Sequence, residues 1–375
     1  MATIRHTSRP VAPRPEVLPA GVAPQADQGR RGGPRANLRS FYEQDYAGPM
    51  EVVFATTDKD DPALPVARAV AAGYPRVPTR FVLSDPAFGL NPKVANLAGA
   101  LRAASHDLVL QSDANVRARP DYLTRVVSEL EAEGGHLLSS MVVGVGERSV
   151  GATLHNLQLS AFTAPGCCLA LRYFGIVCVI GKSMLFRKSD LAEVGGLELV
   201  RDILAEDYVL GRAFQKAKKT VLLSTTTVEN VNEEASVEHF VARHARWLKM
   251  RAAIHIPGFF ADLVANSTGL MLLALLTSGL DPRFAAVFAA HAVLKAAGDA
   301  YLLGRTRGVP MAWRYLALAR CATLLMVAVW PYAAFSRSIE WRGVRLRLGW
   351  NTRLRPDDGA LPLRVLRWVL SPLLG

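Results

Sequence analysis

The stretch Glu51-Val-Val-Phe-Ala-Thr56-Thr57-Asp58-Lys59-Asp60-Asp61-Pro62 decides the fold. An apolar, β-branched run reads as a strand over 51–56. It stops at a cluster of carboxylates, and Pro62 then takes a first-turn position in a helix over 62–72. Working outward, the pattern repeats. A helix begins at Leu38 and ends near Tyr46-Ala-Gly48. A strand is expected over 80–83, a helix over 92–104, a strand over 107–111 and a helix over 120–133. Strands alternating with helices predict an α/β domain with a mostly parallel sheet, whose ligands sit at the carboxyl ends of the strands. The next region is less regular. A strand is expected over 177–186, a short helix from Ser189-Asp190 to Gly195-Gly196, a helix over 205–217, a strand over 220–224 and a long basic helix over 237–253.

The chain has 375 residues and a net charge of +12. Its basic residues form no single aromatic-interleaved patch, so nucleic acid is not an expected partner. They gather in the N-terminal arm and around three apolar segments, over 259–280, 284–303 and 311–335, which suits anionic lipid headgroups. Each segment approaches the length needed to cross a bilayer. His291, Lys295 and Asp299 share one face of the second, and an internal Lys–Asp pair without a catalytic role is expected there. The tail over 336–354 is strongly basic and is placed on the cytoplasmic side. A catalytic domain on that same side requires an even number of crossings, so one segment is expected to be re-entrant or interfacial. Cys167, Cys168, Cys178 and Cys321 lack metal-ligand spacing and read as thiols in a reducing compartment. Residues 1–36 show no apolar core of signal-peptide length and no helical or strand period. The expected organisation is a disordered or misassigned arm over 1–36, a catalytic domain over 37–256, membrane helices over 257–335 and a basic amphipathic tail over 336–375.

Several motifs carry chemistry. Asp113 follows the 107–111 strand directly, where a carboxylate can bind magnesium or manganese bridging two phosphates. In Asp113-Ala114-Asn115 the alternative is simple turn chemistry. Asp58 sits nearest the end of its strand and is the candidate for nucleotide contact, while Asp61 caps the following helix. Asn91-Pro92-Lys93 opens a helix, where a lysine can approach a phosphate. Glu206-Asp207 begins another helix, either to favour its dipole or to supply a general base. Arg243, Arg246 and Trp247 share a helix. Its arginines can hold a diphosphate and its indole can offer a surface to a sugar or acyl chain. The plainer alternative is a solvated or lipid-facing basic helix.

These residues resemble the ceramide glucosyltransferase family, inverting glycosyltransferases with a GT-A fold related to glycosyltransferase family 2, here as a bacterial member. The resemblance runs from about Asn37 to the basic tail. It rests on Asn37-Leu38-Arg-Ser-Phe-Tyr-Glu-Gln-Asp-Tyr46, Asp58-Lys-Asp-Asp61-Pro62-Ala63, Asn91-Pro92-Lys93-Val-Ala-Asn96-Leu97 and Ser112-Asp113. Gly181-Lys-Ser-Met184-Leu-Phe-Arg187-Lys, Gly195-Gly196, Ala205-Glu206-Asp207-Tyr208 and Arg243-x-x-Arg246-Trp247 complete it. Each piece is weak alone; the ordered set is specific. The resemblance implies that Asp58, Lys93, Asn96, Glu206, Arg243, Arg246 and Trp247 bind substrate. It implies that Asp113 and Asn115 serve a divalent cation, and that Asp207 is the catalytic base.

The implied activity is transfer of glucose from UDP-glucose to the hydroxyl of ceramide or a similar lipid, at a bacterial inner membrane with the catalytic domain cytoplasmic. Three other activities fit the same motifs: N-acetylglucosamine transfer to a hopanoid lipid, processive polysaccharide synthesis, and inert lipid or nucleotide binding. Two departures stand out. Relatives often carry a second acid where Asn115 stands. The family also begins with a transmembrane helix and a strand ending in Lys-Pro, and neither pattern is visible in residues 1–36.

Overall fold

The computed structural model describes residues 33–308, 311–341 and 344–357, and the backbone of 15–20. The chain divides into two compact units. The first comprises Met1–Val145, Thr163–Leu199 and Asp207–Val231; the second comprises Gly146–Phe162, Val200–Glu206 and Asn232–Gly375. A single cut at residue 256 therefore falls inside the second unit.

The first unit is built on an eight-stranded sheet. Its strands are β1 (Pro15–Ala20), β2 (Val52–Thr56), β3 (Thr79–Leu83), β4 (Leu108–Asp113), β5 (Val116–Arg117), β6 (Leu137–Val145), β7 (Ser183–Arg187) and β8 (Val221–Val231), in the order β3-β2-β1-β4-β7-β6-β8-β5. The strands β3, β2, β1 and β4 form a parallel block. The strand β7 runs antiparallel to β4 and β6, so the sheet is mixed beyond the block rather than parallel throughout. This is the α/β architecture expected from the alternation. Helices cover the sheet, so β2, β4 and β6 are buried along their whole length, as expected of strands packed on both faces.

Three sequence expectations change. The arm over 1–36 was expected to hold no strand, yet Pro15–Ala20 runs between β2 and β4, pairing Val17 with both Val52 and Leu110. Pro15 and Pro19 each lack a backbone donor, which hides a strand from pattern reading, but neighbours on both sides supply the ladder. Residues 1–14 and 21–32 lie outside the described residues, and 33–36 already belong to the Gly33–Tyr42 helix. The strand expected over 177–186 is confined to Ser183–Arg187. The strand β6 and the helical stretch from Val150 to Phe174 were not anticipated.

The core of the first unit gathers Phe41, Leu110, Leu123, Leu130, Leu138 and Leu185 around Tyr122. The Tyr122 hydroxyl is hydrogen-bonded to Ser140 Oγ at 2.6 Å and Ser183 Oγ at 2.7 Å. Burial pushes its phenol up to about 12, and the two serine bonds offset part of that rise.

The second unit is largely helical. Ser236 caps the Val237–Ile254 helix, its Oγ accepting from His239 N at 3.1 Å. Two helical stretches, Pro282–Arg307 and Trp313–Phe335, are long and apolar enough to cross a membrane, and Ile256–Ala265 with Ser267–Thr277 forms a pair bent by 66°. Phe284, Val287, Val293, Leu294 and Tyr301 project outward from the first of them. Asp299 is buried. It pairs with Lys295 at 2.5 Å and with Arg320 at 3.4 Å, which ties the two long stretches together. His291 meets Ser267 Oγ at 3.0 Å.

The basic tail contains a three-stranded antiparallel sheet: β9 (Ser338–Trp341), β10 (Val344–Leu348) and β11 (Leu354–Pro356). Leu346 and Leu348 point inward, and Arg345 and Arg347 point outward. That period of two makes the amphipathic character a strand property rather than a helical one. Residues 358–375 lie outside the described residues.

Candidate active site

The carboxyl end of β4 organises the site in the first unit. In the antiparallel pairing of β4 with β7, Ser112 stands opposite Ser183. The register therefore carries Lys182 to Asp113, whose backbone N–H donates to the Lys182 carbonyl at 3.0 Å. The Lys182 ammonium then lies 2.8 Å from Asp113 Oδ2 and 2.8 Å from Asn115 Oδ1. Lys93 reaches the same carboxylate from the first turn of the Pro92–Ala103 helix, 3.4 Å from Asp113 Oδ1. That turn is set by the Asn91 side chain, which accepts from Lys93 N at 2.9 Å and Val94 N at 3.1 Å, with Pro92 at the first helical position. Burial works to raise the Asp113 carboxyl, but the Lys182 and Lys93 ammonium groups outweigh it and hold the group below the usual carboxylate range.

Gly181 is the hub. Its N–H donates to Asp207 Oδ2 at 2.7 Å, and its carbonyl accepts from Lys93 Nζ at 2.6 Å and from Gln111 Nε2 at 3.0 Å. A Cβ at this position would lie 2.8 Å from Lys93 Nζ and 3.0 Å from Asp207 Oδ2, so a larger residue would push on the Lys93 ammonium and crowd the Asp207 carboxylate. Asp207 opens the Glu206–Lys216 helix. Lys93, Asp113, Asn115 and Asp207 are thus brought together in one unit, with Gly181 and Lys182 between them.

Asp58 is not part of this cluster of contacts. It lies exposed in the turn after β2, its Oδ1 accepting from Asp60 N at 2.9 Å. Asp61 caps the next helix, accepting from Ala63 N at 2.8 Å. Asn96 is buried in the Pro92–Ala103 helix, and its carbonyl accepts from Ser84 Oγ at 3.3 Å.

The second unit carries the other candidates. The Arg243 guanidinium stacks over the Trp247 ring at 5.2 Å and lies 3.0 Å, through Nη1, from His155 Nε2. Burial pulls the Arg246 guanidinium below its usual value, and Glu206 acts against that fall. His244 is buried and hydrogen-bonded through Nδ1 to the Phe240 carbonyl at 2.9 Å. Burial lowers its pKa to about 3, so it stays neutral.

Asp113 and Asn115 were expected to hold a divalent cation. Magnesium and manganese at nucleotide sites are commonly held by one or two carboxylates together with substrate phosphates and water. The residues here do not fit that arrangement as they stand, because the one carboxylate and the one amide oxygen are already engaged by ammonium groups, Lys182 on both and Lys93 on Asp113. Among the described residues no three His, Cys, Asp or Glu side chains converge on a common point.

Sequence reasoning missed Gly181, Lys182 and His155 as site residues. The first two lay in a quoted motif, but their role depends on the β4–β7 register. His155 meets Arg243 across 88 residues of chain, a separation at which local pattern carries no signal.

Comparison with known proteins supports the resemblance. Over 339 residues the chain is 25% identical to ceramide glucosyltransferase 1 of Caenorhabditis elegans, covering 86% of this chain and 70% of that protein. It is 25% identical over 270 residues to the ceramide glucosyltransferase of Komagataella phaffii, covering 57% of this chain and 53% of that protein. Among solved structures, a mannosyltransferase, PcManGT from Pyrobaculum calidifontis in complex with GDP-Man and Mn2+, aligns at 17% identity over 87% of this chain and 91% of its own, with a TM-score of 0.45. The model of glycosyl transferase family 21 matches residues 29–354. The chain therefore belongs to glycosyl transferase family 21, and it is a hexosyltransferase.

Proposed function

We propose that the chain moves glucose from UDP-glucose to the primary hydroxyl of ceramide or a closely similar lipid, with inversion, at a membrane. The observation that carries this reading is the placement of Asp207. Its carboxylate is oriented by the Gly181 N–H at 2.7 Å, and the carbonyl of the same residue receives the phosphate-binding candidate Lys93. A proton acceptor and a cationic cluster are thus linked through one residue, and a single-displacement transfer draws on both.

In the reaction, Asp207 takes the proton of the lipid hydroxyl. The hydroxyl oxygen forms its bond to the anomeric carbon, the bond from that carbon to the diphosphate oxygen breaks, and the electron pair leaves with UDP. A single displacement yields the β-glycoside. Asp58 and Asn96 are assigned to the donor, and Glu206, Arg243, Arg246 and Trp247 to substrate binding. The ceramide glucosyltransferase relatives support both the sugar and the lipid class. The apolar stretches Pro282–Arg307 and Trp313–Phe335 support a membrane setting, for which we assign the bacterial inner membrane with the catalytic unit on its cytoplasmic face.

The test is lipid mass spectrometry of cells expressing the chain, followed by the purified chain with ceramide and UDP-glucose or UDP-N-acetylglucosamine. A hexosylceramide formed only with UDP-glucose is expected. A product with another sugar, or on another lipid alone, overturns the reading.

A further inference from the structure

The end of β4 holds more positive charge than a carboxylate site for a cation should. Two ammonium groups flank Asp113, from Lys182 at 2.8 Å and Lys93 at 3.4 Å. Both are placed by rigid elements: Lys182 by the antiparallel register of β7 on β4, and Lys93 by a helix whose first turn is capped by Asn91. Rigid placement of this kind is what preorganises a charge for catalysis. The two lysine side chains keep 18% and 14% of their surface exposed, so a ligand can reach them, while the Asp113 side chain keeps 9%. Lys182 also fills the second expected cation contact, the Asn115 amide oxygen. The positions assigned to a metal are therefore satisfied by an ammonium group already present in the chain.

We propose that Lys182, acting with Lys93, binds the diphosphate of the sugar nucleotide directly and supplies the countercharge as that diphosphate leaves, so that transfer needs no divalent cation. This rests on the sugar-nucleotide reading above. As the bond between the anomeric carbon and the phosphate oxygen breaks, the electron pair settles on that oxygen. The Lys182 ammonium donates a hydrogen bond to it without giving up a proton. Asp113 and Asn115 then act as positioning residues, holding the ammonium against the strand end. Charge-assisted bonds from lysine to phosphate oxygens are shorter and stronger than neutral ones, and they act where charge develops.

The test uses the full chain in phospholipid nanodiscs. UDP affinity is measured by calorimetry, and turnover with UDP-glucose and ceramide, in excess chelator and in millimolar Mn2+. In the wild type, chelator is expected to change both by less than about threefold. Lys182→Met is expected to lose about 10²-fold in turnover in chelator, the scale of removing one preorganised donor. Mn2+ should restore about tenfold of that loss, because the substitution uncovers the Asp113 and Asn115 oxygens for a hard cation. Lys182→Arg keeps the charge and is expected to keep UDP binding, which shows that the site still folds.

A wild-type UDP affinity or turnover that falls more than about tenfold in chelator overturns the inference while leaving the sugar-nucleotide reading intact. Lys182→Met binding UDP as tightly as the wild type in chelator also overturns it. Absence of UDP binding under every condition overturns both. UDP binding without transfer to ceramide removes only the acceptor assignment, and the binding measurements still decide the role of Lys182.

Discussion

The Gly181 N–H donates to Asp207 Oδ2 at 2.7 Å, in a position where a Cβ would press on both Lys93 Nζ and that carboxylate. One oxygen of the proposed base is therefore fixed by main chain, and its orientation depends on a residue that contributes no side chain. Gly181→Ala should lower turnover by about tenfold or more, since misplacing a catalytic group by about 1 Å has costs on that scale or larger. Asp207→Asn should lower it by about 10²–10⁴-fold, the usual worth of general-base catalysis. UDP affinity should stay within a few-fold for Asp207→Asn and weaken for Gly181→Ala, because only the latter also pushes on Lys93. Equal UDP affinities in the two variants would break the link drawn here between Lys93 and Asp207.

Removal of residues 1–20 should destroy the first unit. The strand Pro15–Ala20 stands between β2 and β4, and its loss leaves two rows of backbone groups unpaired in a sheet interior. The measurement is limited proteolysis and UDP binding of the truncated chain beside the full one. A truncated protein as resistant and as competent as the full chain would show that this strand is dispensable.

Tyr122→Phe should cost about 1–3 kcal/mol of stability, the penalty for leaving buried polar groups without a partner. The change removes the hydroxyl that serves both Ser140 and Ser183 but keeps the ring volume. The readout is a shift in thermal unfolding with UDP affinity retained. An unchanged melting temperature would mean that the serines find other partners.

His244 should make stability fall on the acid side. Its pKa drops from 6.5 to about 3 in the fold, chiefly through burial. The unfolded chain therefore binds more protons than the folded one between those values. The associated stability is complete above about pH 6.5 and drains away as pH falls toward 3, at about 1.4 kcal/mol per pH unit for one proton. His244→Gln removes the titrating group and should flatten the difference in melting temperature between pH 7 and pH 5. A variant as acid-sensitive as the wild type would place the titration elsewhere.

The chain should stay with membranes through a wash at molar salt. Attachment by basic residues alone is screened at that ionic strength, whereas the apolar faces of Pro282–Arg307 and Trp313–Phe335 are not. Recovery of intact protein in the supernatant would show that these helices do not insert.

Much of this protein is local in origin and could be read without coordinates. The run 51–56 followed by Pro62, the Asn91-Pro92 helix start, the Ser236 cap and the apolar segments all depend on residues a few positions apart, where periodicity and capping act. The order of the acidic and basic motifs also sufficed to recognise the family. Other features came only from tertiary structure. The arm became a strand because β2 and β4 stand ready to pair with it on both sides, which its two prolines conceal. Lys182 came to rest on Asp113 and Asn115 because β7 turns antiparallel to β4, joining residues 67 apart at Asn115. His155 reached Arg243 through the packing of the Val150–Leu157 and Val237–Ile254 helices. Strand direction, register and helix packing are set by long-range pairing and shared burial, and neither leaves a mark in the spacing of neighbouring residues.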